Sequence, residues 1–322
     1  MCIRVRAMLD NTGQEEITFS SLSSSDYQSL PELTDCLIEK MDNNHVNISL
    51  PSLRIDAFSL DVMQKIQDIK KNSLTFAPEA GTQRLRNVIN KGLTKENILN
   101  GSLQAFLGGW NKVKLYFMMG LPTETYEDLD GISDICKKVA YCWRENTPNR
   151  ARGVRITASA SCFVPKPQTP FQWDAQDTLE QFREKQAHLK VVMKTKNVTY
   201  NWHDAETSVL EGVIARGDRR QGKAILLAWQ RGCKMDGWTD YFSMEKWLQA
   251  FADCGVDPKW YAQREWGEDE IFPWETISIG IPKKFFWKER QAAYRSEITP
   301  DCRKQCTGCG ANRLYTGGVC DE

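Results

Sequence analysis

The chain has 322 residues, and its 42 basic and 42 acidic side chains give a formal net charge of zero. This balance excludes a global electrostatic attraction to nucleic acid but leaves local charged patches open. Hydrophobic residues make up 41% of the chain, and no apolar run approaches the roughly 20 residues that span a bilayer, so we expect no membrane role. The first ten residues lack the apolar core of a signal peptide, which predicts a cytoplasmic protein.

Short strand-like runs alternate with amphipathic helix-like runs up to about residue 170, which predicts βα units around a parallel sheet. Strands are predicted at 16–20, 46–50, 74–77, 113–119 and 154–159. Helices are predicted at 30–41, 60–71, 83–89, 95–107 and 126–143, with Thr125 as the N-cap of the last. The carboxyl ends of parallel strands share one edge, where sites gather. Five strands do not close a barrel, so we expect a segment ahead of Met1.

The strand pattern is predicted to stop beyond Trp173. A long helix should follow, with Asp174 or Asp177 as its N-cap and apolar side chains at Leu179, Phe182, Leu189 and Val192. Eight of the eleven tryptophans lie from Trp202 onward, in a mostly helical region, and we expect them in a core rather than stacked on nucleobases. We therefore predict three units, at residues 1–173, 174–298 and 299–322.

Four of the eleven cysteines crowd the end of the chain, at Cys302, Cys306, Cys309 and Cys320. Thiolates at such short spacings can converge on one soft metal or on an iron–sulfur cluster, and the intervening glycines allow the tight backbone that this needs. Spacing alone does not separate zinc from iron–sulfur. We predict a metal-binding tail and expect the other seven cysteines to be ordinary core residues.

Three more segments lie where predicted strands end. Glu79 and Gly81 follow the third strand, where a carboxylate suits a ligand's hydroxyl or ammonium group and Arg84 could pair with a ligand's carboxylate. The fourth strand runs into Gly-Leu-Pro-Thr-Glu-Thr at 120–125, which is either a plain βα turn or an edge against which a nucleoside lies. Prolines 165, 167 and 170 give the fifth strand a rigid exit.

In their order, these three segments resemble motifs of the radical S-adenosylmethionine (SAM) superfamily of cobalamin-linked and methylthiotransferase-like type. Together with segments 20–27, 49–56, 76–92 and 202–219, they make the chain similar to an uncharacterised cobalamin-binding radical SAM family over essentially its whole length. The resemblance implies an α/β fold: the later strands of a partial (βα)6 TIM-like barrel, then a mostly helical region and a Cys-rich tail.

The resemblance also implies a chemistry. In the intact enzyme, a 4Fe-4S cluster fed by a donor such as flavodoxin or ferredoxin would cleave SAM to a 5′-deoxyadenosyl radical, and cobalamin suggests methyl transfer. The family's C-x3-C-x2-C loop and cobalamin domain precede the first matching segment and are missing here, so we expect an N-terminally truncated chain. Its tail would hold an auxiliary cluster or zinc. The substrate would be RNA, another macromolecule or a small molecule.

By position, the resemblance assigns a SAM pocket. Its residues would be Ser23, Ser24, Arg54, Glu79, Gly81, Gly120 and Pro122. Arg54 would address the methionyl carboxylate, Glu79 the ribose or the ammonium group, and Gly120 with Pro122 the adenine.

His203 lies in the densest polar cluster of the second region. It is predicted either to transfer a proton above the barrel mouth or to belong to a solvated helix face. For the whole chain, the alternative to an enzyme is a non-catalytic protein whose tail forms a zinc-binding knuckle that docks on RNA or on a protein. Iron with acid-labile sulfide favours the enzyme, and zinc alone favours the alternative.

Overall fold

A computed structural model of the chain describes residues 2–18, 27, 29–41, 47–49, 74–147, 153–302 and 304–311. Its strands are β1 (Glu16–Thr18), β2 (Asn47–Ser49), β3 (Leu74–Glu79), β4 (Lys112–Met119), β5 (Arg155–Cys162) and β6 (Val198–Trp202). Its helices are α1 (Cys2–Thr12), α2 (Leu30–Met41), α3 (Gln83–Val88), α4 (Lys95–Leu107), α5 (Tyr126–Asn146), α6 (Leu179–Val192), α7 (Ala205–Ala215), α8 (Gln221–Gln230), α9 (Met244–Asp253), α10 (Pro258–Ala262) and α11 (Lys283–Tyr294).

The described strands form two parallel sheets. In the smaller sheet β1 pairs with β2, and in the larger one the strand order is β3-β4-β5-β6 with every neighbouring pair parallel. Helices connect the consecutive strands of the larger sheet, as in successive βα units. The carboxyl ends of its four strands therefore share one side, which we call the carboxyl edge. The α/β class and the parallel sheet are confirmed.

The predicted bounds hold best where burial follows a simple period. Helices α2 and α4 begin and end at the predicted residues, and strands β1 to β5 and helix α5 differ from prediction by at most three residues at either end. In β4, buried Val113, Leu115, Phe117 and Met119 alternate with residues that are more exposed. They pack with α5 and α6 in the main core. The helix predicted at 60–71 lies outside the described residues.

The prediction that strands stop after Trp173 is wrong. Residues 198–202 form β6, which pairs in register with β5 from Ile156–Val198 to Ala160–Trp202. Thr199, Asn201 and Trp202 are exposed, as suits a strand with neighbours on one side only. No buried apolar run therefore marks β6 in the sequence.

The predicted N-cap of α5 is confirmed, whereas the predicted N-cap of α6 is wrong. Thr125 caps α5 as predicted, in a capping box with Asp128. The N-cap of α6 is Thr178 rather than Asp174 or Asp177, because the Thr178 hydroxyl accepts from the Gln181 N–H at 3.2 Å. The two aspartates are engaged elsewhere, Asp174 with Arg290 and Asp177 with Lys185.

Residues 205–311 carry two further cores. One lies among α7, α8, α9 and α10, and the other is an aromatic cluster of Trp173, Trp266, Phe272 and Phe286. The expectation of buried tryptophans is wrong for Trp202, Trp229, Trp238 and Trp260, which are all more than 40% exposed. None of the described helices combines the length and the apolar character needed to cross a membrane.

Candidate functional site at the carboxyl edge

Two motifs that are 40 residues apart in the sequence meet at the carboxyl edge. Glu79 ends β3 and Gly120 follows β4, its neighbour in the sheet. Arg84 joins the segments by donating to the Thr123 hydroxyl at 3.0 Å and to the Thr123 carbonyl at 2.8 Å. Arg84 also pairs with Asp128. Its carboxylate partner is thus within the protein, and the two motifs form one structural unit.

Gly81 allows the segment after β3 to touch α5. A Cβ atom at this position would lie 2.2 Å from the Asp128 carbonyl oxygen and 2.4 Å from the Ile132 nitrogen. These are backbone atoms and cannot swing aside. Packing alone therefore requires this glycine, and its predicted contact with SAM would have to come from its backbone.

Gly120 has a φ of +81°, a conformation that favours glycine. A Cβ atom there would lie 2.6 Å from Phe182 Cε1 and 2.8 Å from Asp177 Oδ2. The Gly120 N–H donates to Glu124 Oε1 at 2.8 Å, and Pro122 is buried in the same turn. The turn is thus held by the protein itself, whichever ligand lies against it.

Glu79 has a carboxylate at this edge that is open to a ligand. Its side chain is 25% exposed, and its Oε1 accepts from Lys91 Nζ at 3.2 Å. No described residue donates a hydrogen bond to its Oε2, which can accept from a hydroxyl or an ammonium group. Its φ is +67°, and a side chain in that region costs of order 1–3 kcal/mol, a strain that is common at functional sites.

An apolar layer borders Glu79. It contains buried Ala80, Leu121 and Phe163, with Met118 packed against it. Residues of α3 and Ala293 of α11 complete the same cluster. Helix α11 therefore packs, through Ala293, into the apolar cluster that begins next to Glu79 in the sequence.

Lys185, Glu124 and Asp177 form a largely buried charged cluster next to the turn. The sequence analysis did not predict this cluster. Lys185 Nζ lies 2.8 Å from Glu124 Oε1 and 2.6 Å from Asp177 Oδ2. Burial raises the pKa of Glu124 by more than Lys185 lowers it. Burial lowers the pKa of Lys185, but the two carboxylates outweigh it and raise that pKa overall. Glu124 stands within the recognised 120–125 turn, whereas no local pattern marks Lys185.

His203 follows β6, and its side chain is exposed. Its N–H donates to the Ala160 carbonyl at 3.1 Å, and its own carbonyl accepts from Gln186 Nε2 at 2.9 Å. Two strand spacings, about 10 Å, separate it from Gly120. The structure thus places Glu79 and Gly120 together and His203 farther along the same edge, where its proton-transfer role stays a prediction.

The remaining predicted residues are only partly described. Ser23, Ser24, Arg54 and Cys320 lie outside the described residues. Cys302 and Cys306 are exposed and Cys309 is half-buried, all as free thiols. Within the described ranges, no three His, Cys, Asp or Glu side chains are placed to hold a metal ion. The described residues thus form no metal site by themselves, and the four-cysteine site, which includes Cys320, stays a prediction.

Comparison with known proteins places this geometry in a family. Residues 3–135 match the family model of the radical SAM superfamily, and the match includes Glu79, Gly81, Gly120 and Pro122. This part of the chain is thus similar to the radical SAM superfamily. An uncharacterised protein of Methanocaldococcus jannaschii is 31% identical over 234 residues, which are 73% of this chain and 48% of that protein. The chain thus spans about half the length of this curated relative.

The radical SAM superfamily that residues 3–135 match is associated in general with SAM and a 4Fe-4S cluster. The carboxyl edge can offer the nucleoside part of SAM a hydrogen-bond acceptor, because the Glu79 carboxylate at the end of β3 has an oxygen that no described residue hydrogen-bonds. The matched segment also contains Arg84 and Asp128, which tie the two motifs together.

Proposed function

We propose that the carboxyl edge binds SAM and that the chain takes part in a radical SAM reaction. The observation that carries the proposal is the Glu79 carboxylate, which has one oxygen without a hydrogen bond from a described residue. It lies at a strand end inside the matched segment. A carboxylate is an acceptor only, and it binds hydroxyl and ammonium donors strongly.

The protein's own part in this proposal is to bind and orient. Glu79 Oε2 accepts from the ribose hydroxyls or the amino group, and the turn at Gly120 and Pro122 offers its backbone to the adenine. The buried pair of Glu124 and Lys185 keeps that turn in place. When bound, SAM and a reduced cluster supply a one-electron cleavage that yields an organic radical.

The test measures the SAM affinity of the chain by equilibrium dialysis with radiolabelled SAM. We expect Glu79→Gln to weaken binding about 10-fold or more, because a hydrogen bond to a charged group is worth about 1.5–3 kcal/mol. Glu184→Gln is the matched control, an exposed glutamate of α6. Unfolding in urea shows that both variants are folded. An unchanged affinity in Glu79→Gln would remove this residue from the proposal.

The tail is tested separately, by iron, sulfide and zinc content after anaerobic purification and reconstitution. We propose an auxiliary cluster there, so we expect iron and sulfide that are lost in Cys306→Ala and retained in Cys254→Ala, whose half-buried thiol lies outside the tail. Zinc without sulfide would instead support the non-catalytic knuckle.

Finer assignments rest on resemblance alone and stand as proposals. They are cobalamin-linked methyl transfer, an RNA or other macromolecular substrate, and electron delivery by flavodoxin or ferredoxin. The cobalamin-linked methyl transfer is tested by assaying SAM cleavage with and without added cobalamin.

A further inference from the structure

A groove of about 740 Å³ lies beside the C-terminal end of α7. Its walls include Pro167, Asp218, Arg219, Arg220, Trp274 and Ile277, and we call it the arginine groove. Its volume falls within the range of about 300–1,000 Å³ that is typical of ligand sites. Pro167 comes five residues after the end of β5, so the groove begins on the side of the sheet that carries the carboxyl edge.

The arginine groove carries a net positive charge. The exposed Arg219 side chain makes no ion pair or hydrogen bond with any residue in the part of the chain that the structure describes. Arg220 is held by Asp218, with Nε at 2.9 Å and Nη2 at 2.5 Å from Oδ2. Asp218 also accepts from the Tyr261 hydroxyl at 3.0 Å. The groove thus has one carboxylate and two guanidinium groups. The Nη1 donors of Arg220 stay available for an anion.

The opposite wall is apolar and fixed. The Trp274 indole donates to Gln172 Oε1 at 2.9 Å. Its ring stacks on Phe272, with centroids 4.9 Å apart and planes at 9°, and on Trp266 at 5.7 Å and 17°. Ile277 is 64% exposed, and its carbonyl accepts from Gln168 Nε2 at 2.8 Å. The groove therefore has a half-buried indole that is held by its neighbours and an exposed aliphatic side chain, in addition to the arginines.

From this combination we infer that the arginine groove binds a single-stranded nucleic acid, with a phosphate on Arg219 and Arg220 and a base against Trp274 and Ile277. Guanidinium groups bind phosphate through several parallel hydrogen bonds, and a ring face accepts any base. Arg219, Arg220 and Ile277 are exposed, so a bound strand can continue past the groove at both ends. This inference stands apart from SAM binding, because none of the groove residues is assigned to SAM.

The test is fluorescence anisotropy of labelled single-stranded decamers, RNA and DNA of the same sequence, titrated with the whole chain. We expect one or both to bind. We expect Arg219→Gln to weaken binding about 5- to 10-fold and to lower the slope of log affinity against log salt by about 0.7, because one phosphate contact is lost. Trp274→Leu is expected to cost about 5- to 100-fold through lost stacking.

The matched control is Arg155→Gln, which removes an exposed arginine from the first residue of β5, at the opposite end of the sheet. It should leave the affinity unchanged. Arg219 is exposed, so its variant tests the proposal even where Trp274→Leu fails to fold. Three results would overturn the inference: neither decamer binds, Arg219→Gln binds like the wild type, or Arg155→Gln loses as much as Arg219→Gln. Adenosine monophosphate that binds as tightly as the decamer would also overturn it, in favour of a mononucleotide site.

Discussion

The sheet region, residues 74–202, and the C-terminal region, residues 205–311, are stabilised in different ways. In the sheet region, apolar side chains repeat with the period of each strand or helix and form one core. The C-terminal region also has apolar cores, and it adds the hydrogen bonds of a fully buried arginine, Arg216. It donates to the carbonyls of Asp174 at 2.8 Å and Ala262 at 3.0 Å, and its guanidinium lies 4.6 Å from the Trp266 ring centroid. Both regions thus have apolar cores, but the buried arginine of the second joins segments that lie 42 or more positions away from it in the sequence.

A second arginine joins the two regions. Arg290 of α11 binds the buried Asp174 carboxylate with two hydrogen bonds, at 3.1 and 3.0 Å, and Tyr294 donates to the same carboxylate. Asp174 lies just before α6 and thus connects the sheet region to the last helix. Arg216, Arg290 and Asp174 hold segments together that are distant in the sequence. We therefore expect a single substitution among them to lower the free energy of unfolding more than a comparable change elsewhere.

The largest effect is expected from Arg216→Met. The change leaves the buried carbonyls of Asp174 and Arg264 without the donors that Arg216 gives them, and each orphaned group costs about 1–3 kcal/mol. We therefore expect a loss of about 2–5 kcal/mol in the free energy of unfolding, measured with urea. The control is Arg219→Met, three residues on and exposed, which should unfold like the wild type. A loss below about 1 kcal/mol for Arg216→Met would contradict the proposed difference between the regions.

Gly81→Ala should have the next largest effect, this time in the sheet region. The new methyl group meets the backbone of α5, and overpacking of this kind costs about 1–3 kcal/mol. Gly92→Ala is the control, since a Cβ atom there meets nothing within 4 Å. Urea unfolding of both variants checks this, and equal stabilities would show that α5 can shift freely.

Glu124→Gln should change the pH dependence of stability. Burial raises the pKa of Glu124 above its ordinary value of 4.5, so its stabilising contribution is present below 4.5 and is lost as pH rises through the raised pKa. Relative to the variant, the wild type should therefore be more stable at about pH 4 than at about pH 8. Melting temperatures at the two values test this.

Glu96→Gln should change the pH dependence of stability in the opposite direction. Hydrogen bonds from the backbone and from Thr94 lower the pKa of Glu96, so its contribution is present above 4.5 and is lost as pH falls. If both variants shifted in the same direction, burial would not be the cause at Glu124.

The smallest effect is expected from Asp134→Asn. Asp134 pairs with Lys138 one helical turn away, and both side chains are more than 40% exposed. Pairs of this kind contribute about 0.3–0.5 kcal/mol. Unfolding at low and high salt tests this, and the difference from the wild type should vanish at high salt. A loss as large as that of Gly81→Ala would show that exposed charge matters here as much as packing.

Much of the sheet region was predictable, because its helices and most of its strands are marked by patterns within short stretches of sequence. The bounds of α2 and α4 follow from apolar spacing, and Thr125 is recognisable as a cap by its position before an amphipathic run. Glu79 and Gly120 were predicted to lie at strand ends, where ligand sites of parallel sheets occur, and the structure places them there. In contrast, β6 was missed, since an exposed strand lacks the buried apolar run that predicts one.

The sequence by itself determined the α/β class, the radical SAM resemblance that the family match confirms over residues 3–135, and the segments at the strand ends. Only the tertiary structure decided which polar groups meet: Lys185 with Glu124, and Arg216 with the carbonyl of Asp174. The physical reason is sequence separation. Periodic apolar spacing records burial within one helix or strand, whereas these pairs join residues 61 and 42 positions apart, and no local pattern relates their ends.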